Sequence, residues 1–195
     1  MPKIVDHDER REQVMAATLA LVARSGLEGA TMRAIADEAG CSTGLVTHYF
    51  ANRRELIVGV LRHVHAQSAV RMSRHLAGSS AADALEAVVL EGLPLDDERR
   101  LEWQVWLAFW GAAVSDPTLA DEHRHRYREW RGAVRTLVAG ARDEGALRAD
   151  LDVQAETDRL VALIDGLGLE ATLEPDRLKP RRIRTLVREH LAALR

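Results

Sequence analysis

The segment TMRAIADEAGCSTGLVTHYFANRREL, residues 31–56, constrains the fold of this chain more than any other stretch. Thr31 is a good N-cap for a short helix, and Gly40 supplies the backbone freedom at which that helix can end. The apolar residues between them follow the i, i+3, i+4, i+7 spacing of one buried helix face: Met32, Ile35, Ala36 and Ala39. The pattern therefore predicts a short helix that ends in a tight turn.

A second short helix is predicted directly after that turn. Ser42 or Thr43 can cap it, and Val46 and Phe50 lie one turn apart, so both can face the core. Two short helices joined in this way are typical of a helix-turn-helix, whose second helix fits the major groove of B-DNA. An ordinary helical corner without a ligand has the same spacing, so spacing alone leaves both interpretations open.

A long helix is predicted from Arg53 to about His75. Asn52 and Glu55 have the spacing of a capping box at its start. An apolar stripe runs along it through Leu56, Val60, Leu61 and Val64. Because this helix is longer than a three-helix head needs, we expect it to connect the head to the rest of the chain.

The same segment resembles the signature of the TetR family of transcriptional regulators. In that family a Thr starts the second helix, IA..AG.S.G crosses the turn, and F..[KR]..L enters the fourth helix. The matching residues here are Thr31, Ile35, Ala36, Ala39, Gly40, Ser42, Gly44, Phe50, Arg53 and Leu56. The resemblance implies an all-α protein, with an N-terminal three-helix head that carries the helix-turn-helix and a C-terminal helical bundle for ligand binding and dimerisation.

Three positions depart from the family pattern. Thr47 stands where the family usually has Tyr, Cys41 where it usually has Val, and Arg53 where it usually has Lys. The phosphate contact of the family's Tyr would then pass to Tyr49 or His48. The residues GLVTHYF resemble the BetI-type branch of the family, whose named member senses choline.

The resemblance implies a homodimeric repressor that a small effector, cationic or hydrophobic, releases from a palindromic double-stranded DNA operator. We expect Thr31, Tyr49 and Arg53 to hold phosphates, and backbone to approach DNA at Gly44. The candidates for contacts with base edges are Arg33, Thr43, Leu45, Thr47 and His48. The alternative is a helical protein-interaction module without DNA binding.

The composition excludes several other classes of protein. Apolar residues make up 47% and charged residues 29%, with Ala, Leu, Arg and Glu abundant, which is typical of a helical globular protein. One cysteine excludes an internal disulfide framework. No apolar run approaches the roughly 20 residues of a membrane span, and the N-terminus lacks a signal-peptide core. We therefore expect a cytoplasmic protein without a membrane partner.

The charges are distributed unevenly along the chain. Residues 1–75 contain 10 basic and 8 acidic residues, a net charge of +2, whereas the remainder contains 17 and 22, a net charge of −5. A mildly basic head on an acidic body suits a protein that contacts DNA at one end. Residues 1–8 are predicted to be a short polar arm.

The pattern predicts a head at residues 1–52, a connecting helix at residues 53–77, and a ligand-binding and dimerisation domain at residues 78–195. GSSAAD at residues 78–83 is the candidate loop between the parts. Five further helices are predicted: Ala84–Leu93, Asp96–Val114, Thr118–Glu144, Val153–Glu170 and Arg181–Leu194. The fourth of these is apolar nearly all round, which indicates burial on two sides. We expect it to form the homodimer interface with Arg181–Leu194, although both apolar stripes also fit an internal core.

An aromatic cluster is the main feature of the second part. Aromatic residues are only 4% of the chain, yet Trp103, Trp106, Phe109 and Trp110 lie within eight positions, and Trp130 can face them from the next helix. Paired Trp faces can bind a quaternary ammonium by cation–π attraction worth roughly 0.5–2 kcal/mol per contact. Glu102, Asp165 or Glu170 can supply a counter-charge. Plain hydrophobic core is the competing interpretation of the same stripe.

Catalytic and metal-binding patterns are absent from the sequence. His63 and His65, and likewise His123 and His125, are two residues apart, so on a helix they point to different sides rather than to one metal ion. No HExxH, Ser-elbow or phosphate-loop motif occurs. We expect no metal, no cofactor and no enzymatic activity.

Overall fold

The described part of the chain, residues 7–195 of a computed structural model, consists of nine α-helices and contains no strand. The helices are α1 (His7–Gly29), α2 (Met32–Glu38), α3 (Thr43–Tyr49), α4 (Arg53–Arg74), α5 (Ala81–Glu91), α6 (Asp97–Ala113), α7 (Pro117–Asp143), α8 (Val153–Leu173) and α9 (Pro180–Ala192). The all-α prediction is confirmed. Residues 1–6 of the predicted polar arm lie outside the described residues.

The chain folds into two compact units. The first holds the residues up to His65 together with Gln104–Glu122, and the second holds Ala66–Trp103 together with His123–Arg195. Three helices, α4, α6 and α7, therefore contribute residues to both units. The domain boundaries at residues 52 and 77 stay a prediction.

The core of the first unit combines one face of α1 with the apolar residues that the periodicity indicated in α2, α3 and α4. Val14, Thr18, Leu21 and Val22 of α1 are all buried. Ile35, Val46 and Leu56, from α2, α3 and α4, are each fully buried in the same unit. Phe50, directly after α3, packs in the same core and is 1% exposed.

The joints of the first unit follow their local sequence. Helix α1 is interrupted at Gly26, whose φ of 67° is the left-handed conformation that glycine tolerates best. At the start of α4 the Glu55 N–H donates to Asn52 Oδ1 at 2.9 Å, as a capping box requires. In a regular capping box the Glu55 carboxylate would accept from the N–H of Asn52. Here it accepts instead from the N–H of the preceding residue, Ala51, at 2.8 Å.

The second unit buries one face of α8 and one of α9. Leu160, Val161, Ile164 and Leu167 of α8 are buried within the single chain, whereas Leu169 is 41% exposed. In α9, Ile183, Val187 and Leu191 are buried too, and Leu186 is half-buried. The apolar stripe of α9 is therefore internal core, the second of the two interpretations that the sequence left open.

None of the helices in the described part of the chain is long and apolar enough to cross a membrane.

Candidate nucleic-acid interface

The turn between α2 and α3 is fixed by side-chain caps and one glycine. The Thr31 hydroxyl oxygen accepts from the Ala34 N–H at 3.2 Å, and the Ser42 hydroxyl oxygen accepts from the Leu45 N–H at 3.2 Å. Gly40 has a φ of 63°, which ends the first helix without strain. Both caps use an oxygen lone pair, so each hydroxyl hydrogen can still be donated, for example to a phosphate oxygen.

Six of the nine residues predicted to contact DNA are exposed on this motif. Val46 of α3 is buried and holds the helix to the core. The residues that are exposed are Thr31, Arg33, Thr43, Gly44, Thr47 and His48, whereas Leu45, Tyr49 and Arg53 are half-buried. Helix α3 thus presents a small, polar outer face to solvent.

Thr47 has a restricted role on that face. Its hydroxyl group donates within its own helix, to Gly44 O at 3.0 Å or Thr43 O at 3.2 Å. The hydroxyl oxygen and the methyl group remain for a partner. Thr47 can therefore accept a hydrogen bond from a base or pack against a thymine methyl, but it is not a ready donor.

Tyr49 has a partner that no local pattern indicated. Its hydroxyl lies 3.1 Å from His7 Nδ1, and its ring meets His48 edge to face with centroids 5.1 Å apart. His7 is thereby placed beside the end of α3, although 42 residues separate it from Tyr49. The sequence analysis missed His7, because the contact depends on how α1 packs and not on a motif.

Arg53 is engaged inside the protein. Its Nε donates to Ala30 O at 2.8 Å, and one terminal nitrogen donates to Leu27 O. Leu27 lies in the last turn of α1, after the interruption at Gly26, and Ala30 lies in the link to α2. The guanidinium therefore positions α2, and the prediction that Arg53 holds a phosphate gains no support from this arrangement.

The charges around α2 differ in their availability. Arg24 and Glu38 form an ion pair at 2.7 Å, and the hydrogen bond from Arg24 lowers the pKa of the Glu38 carboxyl. Arg33, by contrast, is exposed and has no carboxylate within ion-pair distance among the described residues. Arg33 is thus the arginine of α2 whose charge is open to an anionic partner.

The five aromatic residues of the predicted ligand cluster fall into two groups. Trp106, Phe109 and Trp110 lie in the first unit, where they pack around Leu61 and Leu119. Phe109 is 1% exposed, which makes it part of the hydrophobic core. Trp103 and Trp130 lie in the second unit.

Trp103 and Trp130 share a neighbour in the second unit. The Trp103 indole N–H donates to Gly92 O at 3.0 Å, and a Cβ built on Gly92 would lie 3.5 Å from the Trp130 ring. The Trp103 ring also lies directly against Gly168 of α8, where a Cβ would overlap it. The two indoles are therefore held near Gly92, and Trp103 depends on the missing side chain of Gly168.

One of the three predicted counter-charges, Asp165, lies three residues before Gly168 on α8. Asp165 accepts from the Tyr127 hydroxyl at 2.8 Å, and burial raises the pKa of its carboxyl. Glu102 is paired with Arg71, and Glu170 with Arg177. Asp165 is the carboxylate of the three without an ion-pair partner among the described residues.

No group of three or more His, Cys, Asp or Glu side chains in the described part of the chain is arranged to hold a metal ion.

Comparison with known protein families assigns the chain to a family. Residues 14–60 match the family described as bacterial regulatory proteins, tetR family, and residues 81–195 match the one described as BetI-type transcriptional repressor, C-terminal. The chain belongs to the TetR family.

Named relatives extend over nearly the whole chain of this TetR-family member. The HTH-type transcriptional regulator PksA of Bacillus subtilis is 31% identical and covers 100% of this chain and 94% of its own length. The regulator BetI of Escherichia coli K12 is 32% identical, with coverages of 98% and 96%. These relatives are transcriptional regulators and not enzymes.

Solved structures share the fold. A transcriptional regulator from Rhodococcus sp. RHA1 superposes with a TM-score of 0.84 at 29% identity, covering 94% of this chain and 95% of its own. A regulator from Saccharomonospora viridis in complex with choline has a TM-score of 0.88 at 24% identity, with coverages of 95% and 96%. With the family matches and the named relatives, the chain is a DNA-binding transcriptional regulator of the TetR family. The alternative interpretation, a helical protein-interaction module without DNA binding, is thereby excluded.

Proposed function

We propose that this TetR-family chain is a homodimeric repressor that binds a palindromic operator through α3 and is released by a small organic cation. The observation that carries the proposal is the outer face of α3, where Thr43, Gly44, Thr47 and His48 are all exposed while Val46 and Phe50 fix the helix from beneath. A helix with small residues at its start can enter the major groove without a steric conflict. Twofold symmetry requires half-sites about 34–36 Å apart, or a multiple of that distance.

Each candidate side chain has a role that its chemistry allows. Thr31 donates its hydroxyl hydrogen to a phosphate, and Tyr49 with its neighbour His7 contacts the backbone at the other end of α3. Arg33 and His48 are donors for base edges, while Leu45 and Thr47 offer apolar contact to a thymine methyl. Arg53 acts by holding the link between α1 and α2.

DNA binding is tested by selecting genomic fragments on the full-length protein and measuring affinity against salt. A specific complex loses affinity with rising salt, with a slope of about −0.9 per phosphate contacted. Thr47→Ala should weaken operator binding by about 1–3 kcal/mol and relax selectivity at one base pair.

Thr136→Ala is the matched control for Thr47→Ala. Thr136 is also exposed on a helix, and its hydroxyl donates to the carbonyl of Gly132 at 3.0 Å, four residues back. It lies on α7 in the second unit, whereas the motif belongs to the first, so operator affinity should not change. Equal losses in both variants would assign the effect to helix stability rather than to a base contact.

Dimerisation is proposed through the outer face of α8. Four exposed residues spaced at i, i+4, i+7 and i+11 form that face: Ala162, Gly166, Leu169 and Leu173. Leu173 is 68% exposed, and small residues beside two leucines allow two such helices to approach closely. Because the apolar stripe of α9 is internal, α9 would contribute its outer, Arg-rich face.

Replacing both leucines, Leu169→Asp with Leu173→Asp, should convert the protein to a monomer in sedimentation experiments. Val114→Asp is the control, since Val114 is 90% exposed but directly follows α6 and does not lie on α8. A dimer that persists in the double variant would contradict this interface.

The effector is proposed to bind in the second unit, against Trp103 and Trp130, with Asp165 as its counter-charge. A carboxylate combined with indole faces suits a quaternary ammonium, because cation–π and ionic attraction then act together. That the Saccharomonospora viridis relative is in complex with choline supports this ligand class. DNA and effector would then weaken each other's binding reciprocally.

A titration of the Trp fluorescence tests the ligand class. Choline, a polyamine and a lipophilic cation are compared for the wild type and Asp165→Asn. The proposal expects a response to choline that the Asn variant loses, whereas Glu170→Gln, which alters an exposed pair with Arg177, leaves it intact. A response to the lipophilic cation or polyamine alone would replace the quaternary-ammonium class by that ligand.

A further inference from the structure

A buried charge cluster joins α4 to α5 and α6 within the second unit. Arg71 of α4 donates to Glu91 at 2.5 Å, to Glu102 at 2.7 Å and to Glu98 at 3.0 Å. The Arg71 side chain is 18% exposed, and those of Glu91 and Glu102 are 10% and 11% exposed. One guanidinium thus holds three carboxylates that come from two other helices.

The strength of this cluster depends on Arg71 being present. Removing one member of a buried ion pair leaves a charge that water cannot reach, which is strongly destabilising locally. Burial raises the pKa of the Glu102 carboxyl, and the hydrogen bond from Arg71 opposes that shift. Arg99 also binds Glu91, at 2.9 Å, but it belongs to α6, so this pair does not connect Glu91 to α4.

Two of the three carboxylates that Arg71 holds flank the contact between Trp103 and Gly92. Glu91 directly precedes Gly92, and Glu102 directly precedes Trp103. Gly92 and Trp103 are the two partners of the hydrogen bond between the indole N–H and the backbone carbonyl. Arg71 therefore binds the residue next to the donor and the residue next to the acceptor of the hydrogen bond that fixes the Trp103 ring.

We propose that Arg71 is a positioning residue that couples the placement of the Trp103 ring to α4. A shift of the ring moves the Gly92–Trp103 contact, the flanking carboxylates move with it, and Arg71 transmits the change to the C-terminal half of α4. Its regulatory meaning rests on the proposed function, because α4 also contributes residues to the unit that contains α3. The coupling itself is a property of the second unit.

The guanidinium is suited to this task for a geometric reason. Its planar fork presents five N–H donors, so it can bind several carboxylates at once, whereas a lysine ammonium is a single point charge. Ser68, one turn earlier on α4, adds only a 3.3 Å contact to Glu102. Arg71→Lys should accordingly keep the charge but loosen the coupling.

A substitution in α8 can move the Trp103 ring without any ligand. A Cβ at Gly168 would overlap the indole, so Gly168→Ala must displace the ring. Gly132→Ala is the matched control, because a Cβ there meets nothing within 4 Å and Gly132 also lies inside a helix of the second unit, α7. Trp103→Phe provides a second perturbation, since it removes the indole N–H that binds Gly92.

The experiment measures amide hydrogen exchange at residues 66–74 of α4 in the full-length protein, in a double-mutant cycle. Gly168→Ala and Trp103→Phe should each speed exchange there, and Arg71→Met should speed it by about tenfold or more, since it breaks a buried ion cluster. In the Arg71→Met background neither Gly168→Ala nor Trp103→Phe should add a further change. Arg74→Met, an exposed change one turn away on α4, should leave their effects intact.

Two results would overturn the inference: equal effects of Gly168→Ala with and without Arg71, or no effect of Gly168→Ala and Trp103→Phe on α4 at all. If Arg71→Met fails to fold, Arg71→Lys replaces it, and an intermediate loss of coupling is expected. Failure of the proposed function has a different signature. The wild type would then select no DNA fragment while the coupling in α4 remained.

Discussion

The helix-turn-helix and the aromatic cluster contrast in how their residues come together. In α2 and α3 the functional candidates lie within 23 consecutive positions, residues 31–53, and the caps that shape them are three residues from the groups they bind. In the aromatic cluster five residues within 28 positions, 103–130, divide between two compact units. In the first region, residues that are close in sequence form one surface. In the second region, residues that are close in sequence belong to two different units.

The two regions also treat polar groups differently. On the outer face of α3 the polar side chains of Thr43, Thr47 and His48 are exposed, so each can be changed with a local effect. In the second unit, Arg71, Glu91, Glu102 and the pair of Tyr127 with Asp165 are largely buried and bind across helices. Substitutions there should act over a longer distance, because buried polar networks are coupled.

Phe50→Ala should give the largest effect, because it removes a core side chain that supports α3 rather than one exposed group on its surface. Phe50 is 1% exposed, lies under α3 and has the Arg11 guanidinium 5.3 Å from its ring centroid. We expect a loss of about 3–5 kcal/mol in the free energy of unfolding, measured in urea, together with loss of DNA binding. Phe50→Leu should retain most of the stability, and a loss below about 1 kcal/mol in the Ala variant would show that the cavity collapses.

Arg53→Ala should come next, and it separates a positioning role from a phosphate contact. Loss of its two hydrogen bonds to backbone carbonyls should destabilise the link between α1 and α2 by about 1.5–3 kcal/mol. The salt dependence of DNA binding should keep its slope. A slope reduced by about one unit would instead establish the phosphate contact that the sequence predicted. Arg54→Ala, which removes a pair with Asp116 from an arginine 60% exposed, is the neighbouring control.

Thr31→Ala should have a smaller and more local effect. Loss of the cap on α2 is expected to cost about 0.5–2 kcal/mol, seen as faster amide exchange confined to α2. Thr31→Ser keeps both the cap and the hydroxyl hydrogen, so it should restore stability and DNA affinity together. Faster exchange in the second unit as well would show that the head is not as self-contained as the comparison indicates.

Asp165→Asn should give the smallest change in the free energy of unfolding. Its sign should be opposite to that of the substitutions in the first region, because the variant gains stability. Since burial raises the folded-state pKa of Asp165 above its unfolded value, its ionised form is a penalty at neutral pH. The Asn variant should therefore be more stable than the wild type at pH 7. The difference should shrink as pH falls through the raised pKa towards the ordinary value of about 3.9.

Urea unfolding at several pH values measures this difference. Asp158→Asn, on the exposed side of the same helix, serves as the comparison. A destabilised Asn variant at pH 7 would mean that the carboxylate is held by favourable charges rather than penalised by burial.

Most of the fold could be predicted because its signals are local. Each predicted helix of the second part has a counterpart whose ends differ by at most three residues, as in Val153–Glu170 and Val153–Leu173. Caps, glycine stops and apolar periodicity act within one or two helical turns, which is the range over which sequence patterns carry information. The predicted exposure of α3 depended on the same local periodicity.

The sequence by itself determined the helices, the helix-turn-helix and the family, because backbone hydrogen bonding and side-chain periodicity are settled between near neighbours. Only the tertiary structure decided that Arg53 binds the carbonyls of Leu27 and Ala30, that His7 meets Tyr49, that the stripe of α9 is internal, and that Arg71 holds the flanks of Gly92 and Trp103. These contacts join residues between 20 and 42 positions apart, or depend on which helix face packs inward. Long side chains such as arginine can reach several partners, and packing selects one of them.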